Sequence, residues 1–410
     1  MMNSPLSIFI LQLVVIIVAS RVFAAVFKKI GQPAVMGEII AGIALGPSLM
    51  GGLFPSFSEF LFPATSFGNL QMLSQVGLIL FMFVIGMELD LNLIKQKAKA
   101  ALFISYASII IPFALGVGLA YFLHQRFAPA NIPFYAFALF MGIAMSITAF
   151  PVLARIIRER QIGQTRLGVI SMASAAIDDV TGWCVLALVI GVVNAKGAEF
   201  ALITLGEAIA YICLMLLVVR ALLKRLSKRT NDIKLVNQST VAIIFLVLLL
   251  SAYCCEMIGI HALFGAFMAG VVMPAEWNFR NLIISKIEDV SMILFLPIFF
   301  VLTGLRTQIG LLNDPSLWLI CLLIIALAVL GKFGGSALAA KLSGESTYES
   351  LSIGALMNTR GLMELIVLNI GYDLGILTPQ IFTMMVIMAL VTTMMTNPAL
   401  NILNRLYKQQ

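Results

Sequence analysis

Long apolar runs recur along this chain with short polar breaks between them, at about residues 6–27, 34–49, 72–87, 100–123, 134–154, 168–193, 200–222, 236–257, 260–274, 287–304, 317–340, 350–371 and 381–400. A run of about 20 apolar residues spans the hydrocarbon core of a bilayer as a helix, and in that solvent only helices and closed barrels satisfy their own backbone. Thirteen such runs predict an all-α polytopic membrane protein, a single transmembrane domain over residues 1–410. The composition agrees: 61% of the residues are hydrophobic and 11% charged, with mean hydropathy +1.05. A soluble domain carries about a quarter charged residues. The second and ninth runs are short and glycine-bearing, which suits helices packed inside protein better than helices facing lipid.

The basic residues sort by side. Twenty of the 26 Lys and Arg fall on alternate connections and the C-terminal tail, among them Lys28, Lys29, Lys95, Lys97, Arg155, Arg158, Lys234, Arg280, Lys286 and Lys408. The opposite connections hold Arg126, Lys196 and Arg306, and Arg21, Lys332 and Arg360 lie inside spans. The positive-inside rule then places the N-terminus outside and the C-terminus inside, and the plasma (inner) membrane of a cell is the expected location; a net charge of +7 alone would suit nucleic acid, but its gathering on one side of the membrane points to no nucleic-acid partner. The first run follows an uncharged MMNSP start with no cleavage site of small residues, so it is expected to be a retained helix. Cys184, Cys213, Cys254, Cys255 and Cys321 all sit in spans without C-x-x-C spacing, which assigns them to packing rather than metal or redox work.

An internal repeat relates GQPAVMGEIIAG from Gly31 to GIHALFGAFMAG from Gly259, an offset of 228, and a weaker echo in the next spans matches Phe81 and Gly86 with Phe299 and Gly304. Segments seven apart cross in opposite directions, so the chain reads as an inverted repeat of six spans, a linker span and six more. Such repeats place substrate near the midplane, beside interrupted helices. Two interruptions are expected. In SITAFPVLARII, Pro151 stands inside the fifth span, where proline frees a carbonyl and kinks or breaks the helix. In GALMNTRGLMELIV, Asn358, Thr359, Arg360 and Gly361 sit at membrane depth in the twelfth, where they are tolerated only along a cavity. The plainer alternative is two packed helices with Arg360 and Glu364 satisfying each other one turn apart.

The chemistry is expected at Asp178 and Asp179, in the middle of the sixth span and too deep to reach water along it. A carboxylate at the bilayer centre costs ~2.5–3.5 kcal/mol on insertion scales, so two in succession require a cavity, an ion or a partner charge. Neighbours on a helix point about 100° apart, so one acid can face a cavity while the other meets a cation. Lys332, near the centre of the eleventh span, is the expected partner of Asp178, in a pair that forms and breaks. Glu256 and Arg306, at span ends, are expected to be solvated, and His261 to be a packing residue.

With SITAFPVLARI at 146–156, SAAIDDVTGW at 174–183, LGKFGG at 330–335 and MNTRGLMELIVLNIG at 357–371, the chain resembles the second branch of the monovalent cation:proton antiporters. These have the NhaA-type fold, and the last motif is most similar to the cation/H+ exchanger group of plants, fungi and their bacterial relatives. The resemblance implies that Asp179 alternately binds cation and proton, with Asp178 and Thr148 beside it, and that Lys332 is the basic residue pairing with Asp178. It implies crossed, unwound helices at Thr148, Pro151, Asn358, Thr359, Arg360 and Glu364. It further implies electrogenic exchange of protons for Na+ and/or K+, no cofactor, and a homodimer. Core helices would lie at about 100–193 and 317–400, and dimerisation or scaffold helices at about 1–99 and 200–316. Relatives often carry a long regulatory region; a chain ending at Gln410, about ten residues past its last span, is expected to have no such soluble domain. A sodium-coupled organic anion transporter of related fold, or a channel or sensor, stay open as alternatives.

Overall fold

The computed structural model describes residues 4–88, 98–194, 198–230, 238–274, 284 and 287–407. Of the basic residues sorted by side above, Lys95, Lys97, Lys196, Lys234, Arg280, Lys286 and Lys408 lie outside them. Among the described residues the regular structure is helical throughout, with no strand. Eleven helical stretches of the described residues are long and apolar enough to cross a membrane, and Phe134–Ser146 and Ala262–Val271 are shorter apolar helices.

The chain forms two compact units, one of Met1–Ala64, Asp90–Trp183 and Phe300–Gln410, the other of Thr65–Leu89 and Cys184–Phe299. In the first, helix Pro5–Lys29 starts at Ser4, whose side chain accepts from the Ser7 N–H, with Pro5 in the first turn where its missing N–H costs nothing. Its residues sort by helical spacing: Leu6, Ile10, Val14, Val18, Val22 and Val26 are exposed, while Gln12, Ile16, Ser20 and Ala24 are buried. An apolar exposed stripe of this kind suits lipid, and the buried Gln12 amide nitrogen donates to the Leu61 carbonyl at 2.7 Å.

Glycine sets the closest approaches. A Cβ on Gly42 would collide with Val301 and lie 2.9 Å from Gly304 Cα, so helix Ala34–Leu45 and helix Leu296–Arg306 touch backbone to backbone. Gly37 likewise abuts Phe23 and Ala24 of the first helix. In the second unit, a Cβ on Gly270 would collide with Phe83 and lie 2.8 Å from Gly86 Cα, while Gly265 abuts Ser251 and Ala252. A chain of hydroxyls ties this unit together: Tyr211 Oη meets Ser251 Oγ at 2.5 Å, and Ser251 donates to the Gly265 carbonyl at 2.6 Å.

Glu256 is exposed at its span end, as expected, and both it and His261 also have a capping role. Gly259 (φ 87°) and His261 (φ 77°) turn the chain sharply between helices Gln238–Ile258 and Ala262–Val271. Glu256 then accepts from the Ala262 N–H at 2.9 Å and His261 Nδ1 from the Leu263 N–H at 3.3 Å. Both cap the orphan donors of the new helix.

Candidate ion-binding site

The site lies wholly in the first unit and begins with two broken helices. Helix Phe134–Ser146 ends as Ile147 turns extended (φ −75°, ψ 136°), and Phe150–Glu159 resumes, with Pro151 at its second position, where proline is tolerated. Helix Thr347–Met357 starts on a capping box between Ser346 and Glu349 and stops at Asn358, and Leu362–Asp373 resumes after Gly361. Gly361 has φ 151° and ψ −126°, a conformation costly to any residue with a Cβ. The two breaks meet directly: the Ala149 N–H donates to the Thr359 carbonyl at 3.1 Å.

Breaking a helix leaves its last carbonyls without donors. Those of Phe134–Ser146 are taken by buried cations from elsewhere. Arg360 donates from Nη1 to the Ala144 carbonyl at 3.1 Å and from Nη2 to the Met145 carbonyl at 2.7 Å, and Lys332 Nζ donates to the Ser146 carbonyl. Positive charge at a helix C-terminus is also favoured by the helix dipole. Arg360 Nη1 stands 3.2 Å from Glu364 Oε1, with both side chains fully buried. Glu364 lies in the first turn of Leu362–Asp373, where the dipole favours an acid. The Arg360–Glu364 pair and the broken helix thus coexist.

Lys332 sits in a π-helical turn, Leu330–Gly334, on the span running from Pro315 to Leu342. π-turns widen the helix and recur at functional positions. A Cβ on the adjacent Gly331 would lie 2.9 Å from Pro112 Cα, so this turn presses against helix Ala98–Phe127 at its internal proline. Pro112 has no N–H to give to the carbonyl four residues earlier, that of Ser108. Lys332 Nζ donates to that carbonyl at 3.0 Å, and to Asp178 Oδ2 at 2.8 Å. With the Ser146 carbonyl, all three ammonium protons have acceptors.

Asp178 and Asp179 lie on helix Arg166–Asn194, and both are buried. Besides Lys332, Asp178 accepts from Ser108 Oγ (3.2 Å to Oδ2), Ser105 Oγ (3.5 Å to Oδ1) and Thr148 Oγ1. Thr148 therefore reaches Asp178 from the first break. Asp179 is placed differently: its Oδ1 is buried without a hydrogen-bond partner in the protein. A bound proton or a cation would satisfy that oxygen. Among the described residues no three His, Cys, Asp or Glu side chains cluster as a resident metal site.

The second break is held by the last span. Thr393 Oγ1 accepts from the Arg360 N–H at 3.1 Å and stands 2.8 Å from the Arg360 carbonyl, while Thr359 and Thr396 hydroxyls are 3.2 Å apart. Neither Thr393 and Thr396 nor Ser105 and Ser108 stand out in the sequence. The signals that point to them are SYAS, two hydroxyls one turn apart within a span, and the TTMMT run at 392–396.

Arg306 corrects a further expectation. Its side chain is 13% exposed rather than solvated, donates from Nη1 to Asn369 Oδ1 at 2.7 Å, and pairs from Nη2 with Asp373 Oδ1 at 3.0 Å. It thereby ties the end of Leu296–Arg306 to the half-helix Leu362–Asp373.

The family model described as "Sodium/hydrogen exchanger, transmembrane" matches residues 14–402. The Na+/H+ antiporter NhaS4 of Synechocystis is 41% identical over 97% of both chains. The K+/H+ antiporter 1 of Saccharomyces cerevisiae is 34% identical over 97% of this chain and 46% of its own length. The chain spans about half the length of the plant and yeast relatives it matches. In fold it is similar to the sodium proton antiporter MjNhaP1 of Methanocaldococcus jannaschii, with a TM-score of 0.67 at 19% identity over 98% of this chain and 96% of that one. Eleven membrane-length helices, the broken helices around a buried acid and the family match together show that this chain is a multi-pass membrane protein of the sodium/hydrogen exchanger family, whose members are transporters and not enzymes.

Proposed function

We propose that the protein exchanges Na+ and/or K+ for protons by alternating access, with Asp179 as the site that proton and cation occupy in turn. The observation that carries this reading is the buried Asp179 Oδ1 without a partner, one residue from an acid whose oxygens are fully engaged. Proton and cation compete for Asp179, so the site moves across the membrane when loaded with either and stays put when empty and charged. Lys332 shares its proton with Asp178 while that acid is ionised, and releasing the pair adds a second proton to the cycle, which makes the exchange electrogenic. The names of the relatives, Na+/H+ and K+/H+ antiporters, support both ions as substrates.

The architecture we assign is thirteen crossings, N-terminus outside, in two inverted halves. Equivalent repeat positions making equivalent contacts support it: Gly42 on Gly304 and Gly270 on Gly86, Gly37 and Gly265 each on the helix before. Helices at about 100–193 and 317–400 form the moving core and those at about 1–99 and 200–316 the scaffold of a homodimer in the plasma membrane, where exchange serves pH homeostasis. Proteoliposomes with a trapped pH dye test the reading. Pulses of Na+, K+ or Li+ are expected to evoke proton movement; accumulation of a labelled organic acid, or single-channel currents, in its place would overturn it.

A further inference from the structure

Serine inside an apolar helix normally satisfies its hydroxyl on the carbonyl three or four residues back. Ser146, Thr307, Ser343 and Thr392 do so here, at 2.8–2.9 Å. Four others do not. Ser171, Ser174, Ser336 and Ser352 are at most 1% exposed, and their Oγ atoms have no hydrogen-bond partner in the protein. A buried hydroxyl left unpaired costs about 1–3 kcal/mol, and four together point to a polar occupant.

They share one neighbourhood. Ile170, Ala175 and Ile353, which flank Ser171, Ser174 and Ser352, and Ala339, one turn on from Ser336, belong to a single buried cluster with Ile104, which precedes Ser105. Ala101 packs with Ala173 and Ile177, and a Cβ on Gly354 would lie 2.9 Å from Ala337 Cβ, which brings the four helices together. All four serines lie on one side of the Lys332–Asp178 pair. Ser174 and Ser171 precede Asp178 by four and seven positions, about 6 and 10 Å along the helix at 1.5 Å per residue. Ser336 follows Lys332 toward the end of its span, and Ser352 precedes the break at Asn358. At that same end, Arg166 makes a bidentate pair with Glu345, at 2.9 and 2.8 Å. Ser105 and Ser108 join the row to Asp178 itself.

We infer that Ser171, Ser174, Ser336 and Ser352 hold a file of water molecules through which protons reach the Lys332–Asp178 pair from the Arg166 end, which is the inner side in the topology assigned above. Each hydroxyl accepts a hydrogen bond on a lone pair and donates its own hydrogen, so a proton taken up at one end is released at the other with no net change in between. The proton thus has a route inside the core that a hydrated cation, which needs several oxygen ligands at once, does not share. This inference rests on the antiport reading.

The test is steady-state cation-evoked proton flux in proteoliposomes for wild type, the quadruple Ser→Ala variant, single Ser→Thr variants that keep the hydroxyl, and Ser20→Ala. Ser20 is an equally buried, unpartnered serine on the first helix, away from the file. The inference predicts at least a five-fold lower maximal flux in the quadruple variant, an unchanged KM for the cation, an unchanged Tm, and near-normal flux in the Ser→Thr and Ser20→Ala proteins. Wild-type flux in the quadruple variant would overturn it. So would a fall in Tm with Ser→Thr as impaired as Ser→Ala, which would make the serines packing residues. Absence of flux in wild type would instead remove the antiport reading.

Discussion

Lys332 and Asp178 form a 2.8 Å ion pair with both side chains completely buried. The pair is held from three sides, by the carbonyl that Pro112 frees, by the carbonyl that the first broken helix frees, and by the Ser105 and Ser108 hydroxyls. Removing one partner strands the other. Lys332→Ala is expected to lower unfolding stability by about 3–5 kcal/mol, the usual penalty of an uncompensated buried charge. The double variant Lys332→Ala with Asp178→Asn should recover much of that loss. Thermal unfolding in detergent checks it, and a double variant no more stable than the single would contradict the pair's role.

The same pair sets charge movement. Asp178→Asn is expected to keep measurable exchange while reducing the net charge carried per cycle. Currents recorded on a solid-supported membrane, normalised to flux, read this directly; wild-type charge per cycle would refute coupling through the pair.

Gly361 is where the second broken helix can turn. Gly361→Ala must hold a Cβ at φ 151° and 3.1 Å from Val152 Cγ2, and should cost about 1–3 kcal/mol. Gly375→Ala, at φ 68° with open space around it, should cost about 1 kcal/mol. Comparing their Tm values, together with flux in Gly361→Ala, checks that strain at the crossing and not glycine loss as such is what matters.

Much of this was legible in the sequence, and the reasons differ by residue. Runs of apolar residues report spans because the bilayer imposes their length, and Asp178, Asp179 and Lys332 stand out because charge at that depth is rare. Arg306 is not decided by the sequence, because a position at a span end is compatible with either water or protein, and only the fold brings Asn369 and Asp373 to it. Pro112 and Ser108 carry no signal alone because their meaning is relational: a freed carbonyl matters only with Lys332 against it. The threonines at 392–396 likewise become informative only when the second break lies beside them.

The tie made by Arg306 predicts a modest structural effect. Asp373 is partly exposed, so solvent screens the pair, and Arg306→Ala should lower stability by about 1 kcal/mol. Asn369 then loses its Arg306 donor but keeps its own bonds to Thr303 Oγ1 and the Leu365 carbonyl. Unfolding in detergent is the check.

Asp314 gives a pH-dependent counterpart outside the spans. It caps helix Pro315–Val329, and the Ser316 N–H holds its carboxyl below the usual carboxylate range. A depressed folded-state value means the stabilisation is present above the unfolded value and lost as pH falls through the folded one. Asp314→Asn should therefore have a lower Tm than wild type at neutral pH, with the gap closing below about pH 4. A gap independent of pH would contradict the charge-based cap.

Asp179 is where proton and cation are proposed to compete, and cation-evoked proton flux in proteoliposomes of wild type and Asp179→Asn decides whether they do. Flux is expected in wild type and none in a folded, correctly inserted Asp179→Asn protein. Flux that survives in that variant would show that proton and cation meet somewhere else.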